Sequence, residues 1–242
     1  MDSLSIVIPA YNEANRLPAS LDAVLAYAEG RFPRCEVIVV DDGSTDKTAE
    51  TVEALGDARV RLLRNPGNRG KGYSVRHGML AATGDWRLFT DADLSAPIDE
   101  LGRLFAEAQR TGAAVAIGSR AIDRRLISVR QSWIRETAGR IFNIAMRAVT
   151  GLDFEDTQCG FKLFTAEAAQ RIFKRQLLDG FGFDVEDLYI AKKLGIKVVE
   201  VPVRWAHAEG TKVGLASGLK AFFDPLRIRW NNLKGLYNSE IG

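Results

Sequence analysis

The stretch WRLFTDADLSAP at residues 86–97 decides the fold class and the place of the functional site. It opens with a short apolar run, which is typical of a buried strand in a parallel sheet. The strand runs into Asp91 and Asp93, separated by Ala92, and residues i and i+2 of an extended chain point to the same side. Because open α/β sheets bind ligands at the carboxyl ends of their strands, we expect both carboxylates to converge there.

Asp91 and Asp93 form a candidate metal site. Two carboxylates this close resist being ionised together unless a cation or strong donors lie between them. Carboxylate oxygens suit Mg²⁺ or Mn²⁺, which also bind phosphate oxygens. We therefore expect a divalent metal that carries a diphosphate. The alternative is a polar strand-to-loop turn in which Asp93 caps the next helix, since an isolated Asp-x-Asp pattern is weakly specific.

The composition indicates one α/β domain. The chain has 242 residues, of which 46% are hydrophobic and 26% charged, and it shows no linker, repeat or low-complexity tract. The two cysteines, Cys35 and Cys159, lack metal-ligand spacing and suit a reducing cytosol. No apolar run approaches the roughly 20 residues of a spanning helix, and no signal peptide opens the chain. We expect a cytoplasmic protein.

Positive charge is concentrated in the second half of the chain. Residues 110–147 hold eight arginines against two acids, a net charge of +6, and residues 204–234 hold six cations against two acids, a net charge of +4. The first half is therefore net acidic. A basic second half suits an anionic acceptor or a membrane surface, and the alternative is an ordinary solvated surface.

Apolar strands alternate with helices through the first half, which predicts a doubly wound, mostly parallel sheet. Right-handed crossovers place the loops after these strands on one edge of the sheet. The predicted strands are 4–9, 36–40, 60–63, 86–90 and 114–118, and the predicted helices are about 17–29, from the 43–46 turn to 55, 73–82 and 98–110.

The second half is less regular. Its predicted elements are a helix at 132–149, a short strand ending the stretch 156–164, helices near 165–175 and 183–194, and a strand at 197–205. Pro202 makes that last strand an edge or bent strand. The tail carries one apolar helical stripe, formed by Leu215, Leu219, Phe222, Leu226, Trp230, Leu233 and Tyr237. Asp224-Pro225 resembles an N-cap followed by proline at N1, so we expect two helices meeting there.

Two further loops at the same edge are candidate ligand contacts. The loop GNRGKG at 67–72 lacks the spacing of an ATPase phosphate loop, and no dinucleotide-binding fingerprint opens the first strand–helix turn. Arg69 or Lys71 could contact a nucleotide, or the loop could be a flexible turn. Asp41 and Asp42 could accept hydrogen bonds from a base or ribose with Tyr11 stacked on the base, or could cap the following helix.

Six motifs in order resemble family 2 glycosyltransferases with a GT-A fold, over nearly the whole chain. They are PAYNE at 9–13, VVDDGSTD at 39–46, GNRGKG at 67–72, DADLS at 91–95, GSR at 118–120 and DTQCGFKLF at 156–164. The resemblance is closest to the branch that transfers sugars to polyprenyl or dolichyl phosphate. DTQCGFKLF, together with FDVED at 183–187 and VPVRW at 201–205, is most similar to dolichyl-phosphate glucosyltransferases.

The resemblance implies a role for each matching residue. Asp91, Ala92 and Asp93 would hold the nucleotide sugar, with Asp91 and Asp93 on the metal. The nucleoside would be held by Pro9, Tyr11, Glu13, Val40, Asp41 and Asp42. The Gly-rich loop adds Lys71 as a candidate contact to the nucleotide. The acceptor phosphate would face Arg120 and Arg135, and Lys212 would belong to a loop that closes over the donor. As a hypothesis about the mechanism, Asp156 and Glu186 would orient sugar hydroxyls, or act as a base if the acceptor is an alcohol.

The implied activity is an inverting, Mg²⁺- or Mn²⁺-dependent transfer of a hexose, glucose from UDP-glucose, to polyprenyl or dolichyl phosphate. One domain over 1–242 would have a donor half at 1–120 and an acceptor half at 121–242. The C-terminal helices would lie on the cytoplasmic face of a membrane, or pack their stripe on the sheet.

Several alternatives stay open at this point. They are a soluble or saccharide hydroxyl acceptor, mannose transfer from GDP-mannose to polyprenyl phosphate, and a nucleotide-sugar-binding subunit without chemistry. No nucleic-acid partner is expected. A sugar-nucleotide pyrophosphorylase should have a Gly-rich loop after its first strand, where this chain has PAYNEAN.

Overall fold

The fold is built on one seven-stranded sheet. The computed structural model describes residues 3–129, 143–144, 146–206 and 215–240. The strands of the sheet are β1 Ser3–Ala10, β2 Arg34–Asp41, β3 Val60–Arg64, β4 Trp86–Thr90, β5 Val115–Ser119, β7 Phe161–Thr165 and β8 Val198–Pro202. Their order is β3-β2-β1-β4-β7-β5-β8, and every pair is parallel except those made by β7. The predicted doubly wound, mostly parallel sheet is confirmed.

Helices cover both faces of this sheet. They are α1 Leu17–Ala28, α2 Thr48–Ala54, α3 Lys71–Ala81, α4 Leu101–Thr111, α5 Ala166–Phe173, α6 Phe183–Lys193 and α7 Leu215–Leu233. Short 3₁₀ turns occur at Ile98–Glu100 and Arg124–Leu126, and β6 Ile127–Val129 pairs with β9 Trp205–Ala206. Of the helix predicted at 132–149, residues 143–144 and 146–149 are helical and the rest lies outside the described residues.

Burial on both faces explains why the central strands are continuously apolar. Two hydrophobic clusters lie on opposite sides of β1: one includes Val7 and Val40, the other Ile6 and Ile8. All four side chains are fully buried. A strand buried on both faces has no need for alternating polar positions, so its sequence is an uninterrupted apolar run. The parallel strands β1, β2 and β4 consequently deliver their following loops to one edge.

Strand β7 brings the second half of the chain into the middle of the sheet. It lies between β4 and β5 and runs antiparallel to both, with Phe89 opposite Lys162. The sequence predicted a short strand here but not its position. The last strand in the order is β8, so the edge position predicted from Pro202 is confirmed. Edge strands tolerate proline because the missing N–H faces outward.

The prediction of two C-terminal helices was wrong. A single helix, α7, runs through Pro225. The Asp224 side chain accepts a hydrogen bond from the Gly182 backbone N–H instead of starting a new helix. The described part of α7 buries Ile228 and Asn231. Among the described residues, none of the helices has both the length and the apolar character needed to cross a bilayer.

Candidate active site

An ion pair lies where β4 ends. The Lys71 ammonium, in the first turn of α3, is 2.6 Å from a carboxylate oxygen of Asp91. The same ammonium lies 5.3 Å from the centre of the Phe89 ring. Burial opposes the charge on Lys71, but Asp91 and Asp184 outweigh that cost and raise the pKa of its ammonium. The helix predicted to start at residue 73 begins at Lys71 in the structure. This earlier start brings the Lys71 side chain to the end of β4.

A second pair, Lys162 with Asp184, lies deeper. The two side chains are 1% and 5% exposed and make a direct salt bridge. Lys162 projects from β7 toward the rings of Phe89 and Phe183. Burial raises the pKa of the Asp184 carboxyl, and Lys162 and Lys71 oppose that rise.

Sequence reasoning missed this second pair, although the stretch FKLFT at 161–165 contained a signal for it. A lysine in an otherwise apolar buried strand requires a buried anionic partner, because an unpaired ammonium is almost never found there. Two cation–carboxylate pairs, from four separate elements, are thus close enough to influence one another's pKa.

Gly160 packs directly against the Asp91 carboxylate. A Cβ atom added at Gly160 would lie 2.1 Å from Asp91 Oδ2, far inside contact distance. The carbonyl of Gly160 also accepts the backbone N–H of Asp91, at 3.2 Å. The glycine in the DTQCGFKLF stretch is therefore required by the close approach of its backbone to this carboxylate.

Asp93 closes a tight turn after Asp91. Its Oδ1 accepts the backbone N–H of Ser95 at 3.0 Å, whereas the next helical turn begins only at Ile98. The alternative of Asp93 as a helix cap was therefore wrong. Ala92 is buried, and its carbonyl accepts the Ser20 hydroxyl at 2.6 Å, which anchors the turn on α1.

The residues present fit a hard divalent cation held by few protein ligands. Carboxylate oxygens are the ligands Mg²⁺ and Mn²⁺ prefer, and both Asp91 and Asp93 supply them from one turn. Within the described ranges, no group of three or more His, Cys, Asp or Glu side chains is placed to hold a metal. A dication at Asp91 and Asp93 would therefore complete its shell with ligand oxygens and water, and it would share Asp91 with Lys71.

Asp42 anchors the Gly-rich loop at residues 67–72. Its two carboxylate oxygens accept the backbone N–H groups of Arg69 and Gly70, each at 2.8 Å, and it also accepts the Asn65 side chain at 2.8 Å. The neighbouring Asp41 accepts the backbone N–H of Ser44 at 3.1 Å. The position before α2 is Lys47, so the alternative that Asp41 or Asp42 caps this helix was wrong.

A second loop holds α3 from the other side. In the segment 176–180, Asp179 pairs with Arg76 at 2.8 Å, and its carbonyl accepts the N–H of Tyr73 at 3.2 Å. Gln176 donates to the carbonyl of Gly72 at 2.9 Å. Lys71 therefore starts a helix whose first turn is contacted from two sides, by Asp42 through the Gly-rich loop and by the 176–180 segment.

The residues predicted to hold a nucleoside come together at the ends of β1 and β2. The backbone N–H groups of Asn12 and Glu13 donate to Ser44 and Thr48 at 2.9 and 2.8 Å, which joins the two loops. The Glu13 carboxylate pairs with Arg16 at 2.7 Å. Tyr11 is 37% exposed at this edge. Of the remaining predicted contacts, Val40 is fully buried in the core and Pro9 is half-buried.

Arg120 and Asp156, at the end of β5, form a forked ion pair. The Arg120 side chain donates to both Asp156 oxygens at 2.6 and 2.8 Å, and its backbone N–H donates at 3.0 Å. Burial favours neutrality of both groups, yet the pairing outweighs it, raising the pKa of Arg120 and lowering that of Asp156. Arg135 and Lys212, the other predicted cations, lie outside the described residues.

Glu186 uses both carboxyl oxygens inside the protein. One oxygen accepts the backbone N–H groups of Leu177 and Leu178 at 3.0 and 2.7 Å, and the other accepts the Tyr237 hydroxyl at 2.6 Å. Burial raises the pKa of Glu186 to about 7, against the opposing effect of these hydrogen bonds. Its partners tie the 176–180 loop to the C-terminal segment.

Curated relatives of this chain are described as dolichyl-phosphate beta-glucosyltransferases. A dolichyl-phosphate beta-glucosyltransferase of Dictyostelium discoideum is 35% identical, with 97% of this chain covering 76% of that protein. The Homo sapiens protein of the same description is 36% identical, with coverage of 98% and 78%.

Solved structures share the fold. Mannosyl-3-phosphoglycerate synthase from Rubrobacter xylanophilus superposes with a TM-score of 0.69 at 19% identity, over 96% of this chain and 75% of that one. Glucosyl-3-phosphoglycerate synthase from Mycobacterium tuberculosis, crystallised with Mn²⁺, UDP and glucosyl-3-phosphoglycerate, gives 0.68 at 20% identity, over 95% and 79%. The model of the family described as glycosyl transferase family 2 matches residues 5–173. The chain belongs to glycosyl transferase family 2.

Proposed function

We propose that this chain transfers glucose from UDP-glucose to dolichyl or polyprenyl phosphate and inverts the anomeric carbon. The observation that carries the proposal is the 35–36% identity, along 97–98% of the chain, to proteins described as dolichyl-phosphate beta-glucosyltransferases. A β-linked product from the α-linked donor UDP-glucose requires inversion. The edge of the sheet where Lys71 and Asp91 meet supports a site for an anionic donor.

The donor lies at this edge, with its nucleoside against the joined loops that carry Tyr11, Glu13 and Asp41. The diphosphate lies beside Asp91 and Asp93. These two carboxylates would hold Mg²⁺ or Mn²⁺, which when bound would supply positive charge to stabilise the departing diphosphate. The Lys71 ammonium lies 2.6 Å from Asp91, and it is positioned to transfer its hydrogen bond from Asp91 to a phosphate oxygen.

The acceptor is a lipid monophosphate, which needs no protein base. Its second pKa is near 6 by analogy with phosphorylated side chains, so at pH 7 it is largely dianionic. A phosphate oxygen attacks C1 of glucose from the face opposite UDP, and the C1–O bond breaks with its electron pair leaving on UDP. The transition state resembles an oxocarbenium ion, so stabilising the leaving charge matters more than strengthening the nucleophile.

Positive side chains on the acceptor half orient that phosphate. Arg120 is held by Asp156 and lies 5.5 Å from the Trp205 ring, so its guanidinium enters the reaction already oriented. Arg135 and Lys212 are the further cations that we assign to the acceptor and to the donor-closing loop. Because the lipid tail of the acceptor stays in a bilayer, we place the protein peripherally at the cytoplasmic face of a membrane.

A transfer assay tests the proposal. Purified protein is incubated with Mn²⁺ and radiolabelled UDP-glucose or GDP-mannose, with either polyprenyl phosphate or soluble saccharides as acceptor. We expect label in the organic phase only with UDP-glucose and polyprenyl phosphate, and loss of that label in Asp93→Asn. Transfer to saccharides or from GDP-mannose would support another family 2 activity, and UDP binding without donor consumption would indicate a binding subunit.

A further inference from the structure

Helix α7 presents an apolar stripe to solvent. Its four members follow helical spacing, and their exposed fractions are 65% for Phe223, 56% for Leu226, 58% for Trp230 and 75% for Leu233. The opposite side of the same helix buries Ile228 and Asn231. Helices of globular proteins normally turn the wider apolar face inward. An apolar stripe of this size on the solvent side therefore indicates a surface that is covered in use.

The charges around the stripe are positive. In residues 223–236 the cations are Arg227, Arg229 and Lys234, all exposed, and the only acid is Asp224. Asp224 is directed toward the interior, where it accepts the Gly182 N–H. The ammonium of Lys234 lies 5.0 Å from the centre of the Trp230 ring, so an aromatic group and a cation share one position at the rim of the stripe.

We propose that the stripe Phe223–Leu226–Trp230–Leu233 inserts into the interface of an anionic lipid bilayer. A helix that combines apolar and cationic sides, with tryptophan between them, binds in the plane of the interface. Each nearby lysine or arginine adds attraction to anionic headgroups. A second copy of this chain fits less well, because a two-fold contact would bring the same three cations toward each other.

Contacts connect this surface to the donor site. Asp224, one residue after Phe223, touches Gly182, where a Cβ atom would lie 2.2 Å from its carboxylate. Gly182 is the N-cap residue of α6 and lies two residues after the 176–180 segment. A Cβ atom on Gly70 would lie 2.4 Å from the carbonyl of Asp179 in that segment. The helix that we assign to the bilayer is thus connected, through Gly182 and the 176–180 segment, to the loop that carries Lys71.

The proposal builds on the proposed lipid-phosphate acceptor, but its first test needs neither donor nor acceptor. Wild type and the double variant Leu226→Glu/Leu233→Glu are sedimented with vesicles of phosphatidylcholine containing about one-third phosphatidylglycerol, and with pure phosphatidylcholine. The matched control is Ile122→Glu, an apolar side chain 46% exposed outside the stripe. Both substituted leucines are exposed, so the variants should keep the wild-type melting temperature.

We expect wild type and Ile122→Glu to bind the anionic vesicles, with weaker binding to pure phosphatidylcholine or in about 0.5 M salt. The double variant should bind the anionic vesicles at least about tenfold more weakly. Equal vesicle binding by wild type and the double variant would overturn the proposal. A dimeric wild type that becomes monomeric in the double variant, with vesicle binding unchanged, would assign the stripe to a second copy and also overturn it.

A second arm measures turnover. With a water-soluble phosphate of one or two isoprene units as acceptor, the double variant should match wild type. With a long-chain polyprenyl phosphate in anionic vesicles, its turnover should fall about tenfold, in proportion to lost binding. Equal loss with both acceptors would contradict a docking role. If wild type transfers no glucose to either acceptor, the proposed function fails while the vesicle result still decides the docking surface.

Discussion

Lys71 and Asp91 show how one pair of side chains can prepare a site for an anionic ligand. Each neutralises the other at 2.6 Å, so the edge of the sheet carries no uncompensated charge at this position. When a diphosphate binds, Lys71 can exchange Asp91 for a phosphate oxygen. This exchange costs less free energy than leaving a buried charge without a partner. The same exchange leaves Asp91 available to a cation that arrives with the donor.

Gly160→Ala should impair the site while leaving the fold intact. The new methyl group would lie 2.1 Å from Asp91 Oδ2, and the carboxylate is the movable end of a side chain, so it would rotate away. We expect glucose transfer to fall about tenfold or more, because small displacements at a reacting centre have large effects on rate. The measurement is kcat and KM for UDP-glucose, with the melting temperature as the check on folding.

Gly180→Ala is the matched control for that prediction. A Cβ atom at Gly180 meets nothing within 4 Å, so this variant should keep wild-type kinetics. Equal kinetics for Gly160→Ala and wild type would mean that the position of the Asp91 carboxylate does not matter for transfer. Equal losses in both variants would point to a general effect of stiffening glycine positions.

The residues at the strand ends could be predicted because their signals are local. Asp91 and Asp93 follow an apolar run, and one strand with its loop is enough to place them at a sheet edge. The Lys162–Asp184 pair could not be placed in the same way, because its members come from β7 and α6 and meet only after β7 enters the sheet. Contacts of Asp42 with the 69–70 backbone are equally non-local, so the sequence suggested capping instead.

Among the elements, α7 shows where a local rule fails. Asp-Pro usually starts a helix, and the sequence therefore predicted a break at Asp224-Pro225. In the structure the helix continues, and the carboxylate that would have capped a new helix binds Gly182 instead. Proline removes one intrahelical hydrogen bond, a cost that tertiary contacts can offset. The sequence also could not predict that the stripe faces solvent. Periodicity identifies an apolar face of a helix but does not show what covers that face.

Glu186 on α6 binds the backbone of residues 177–178, and the stability that it contributes should depend on pH. Its pKa is raised from 4.5 to about 7 by burial, so between these values the folded protein binds more protons than the unfolded chain. The free energy of unfolding contributed by this group therefore falls as pH rises from about 4.5 to about 7. Glu186→Gln cannot titrate and keeps the hydrogen-bonding shape, so it should lack this contribution.

Urea unfolding of wild type and Glu186→Gln at pH 5 and pH 8 measures the effect. Relative to the variant, wild type should lose about 2–3 kcal/mol of unfolding free energy between the two pH values, from about 1.4 kcal/mol per pH unit. Titrating groups that do not interact with Glu186 cancel in the comparison because both proteins carry them. The neighbouring Asp187, whose carboxyl pKa is raised by burial and also by Glu186, contributes to the measured difference. A difference that stays constant across this range would show that Glu186 is ionised in the folded protein throughout.

Across the whole molecule, the two halves of the sequence build one sheet and one site. Strand β7, from the second half, separates β4 from β5, and it carries Lys162 to the pair beside Asp91. The C-terminal segment makes a second long-range contact, in which the Tyr237 hydroxyl donates a hydrogen bond to Glu186. The sequence predicted β7 as a strand but did not predict its place in the sheet. Nothing in the local pattern distinguishes Tyr237, the last member of the predicted stripe, from members that point to solvent.

Removing the C-terminal segment that carries Tyr237 should lower the free energy of unfolding of the whole protein. Tyr237 is fully buried, and its ring centre lies 6.1 Å from that of Tyr189. Its hydroxyl donates a hydrogen bond to Glu186 at 2.6 Å. A chain ending after Lys234 loses this side chain, so a cavity opens and a buried carboxyl loses its donor. We expect a loss of at least about 3 kcal/mol in the free energy of unfolding, as for other large buried aromatic side chains.

A chain ending after Asn238 provides the control for this truncation, because it keeps Tyr237 and removes Glu240. The Glu240 carboxylate is exposed, and its contacts with Lys174 and Arg175 are both 3.3 Å long. Ion pairs that involve an exposed carboxylate contribute little to stability, so this shorter cut should leave the urea midpoint nearly unchanged. If both truncations lowered the midpoint equally, the stabilisation would come from the terminal residues in general. A loss confined to the longer cut assigns the stabilisation to residues 235–238, among which Tyr237 is the buried side chain that binds Glu186.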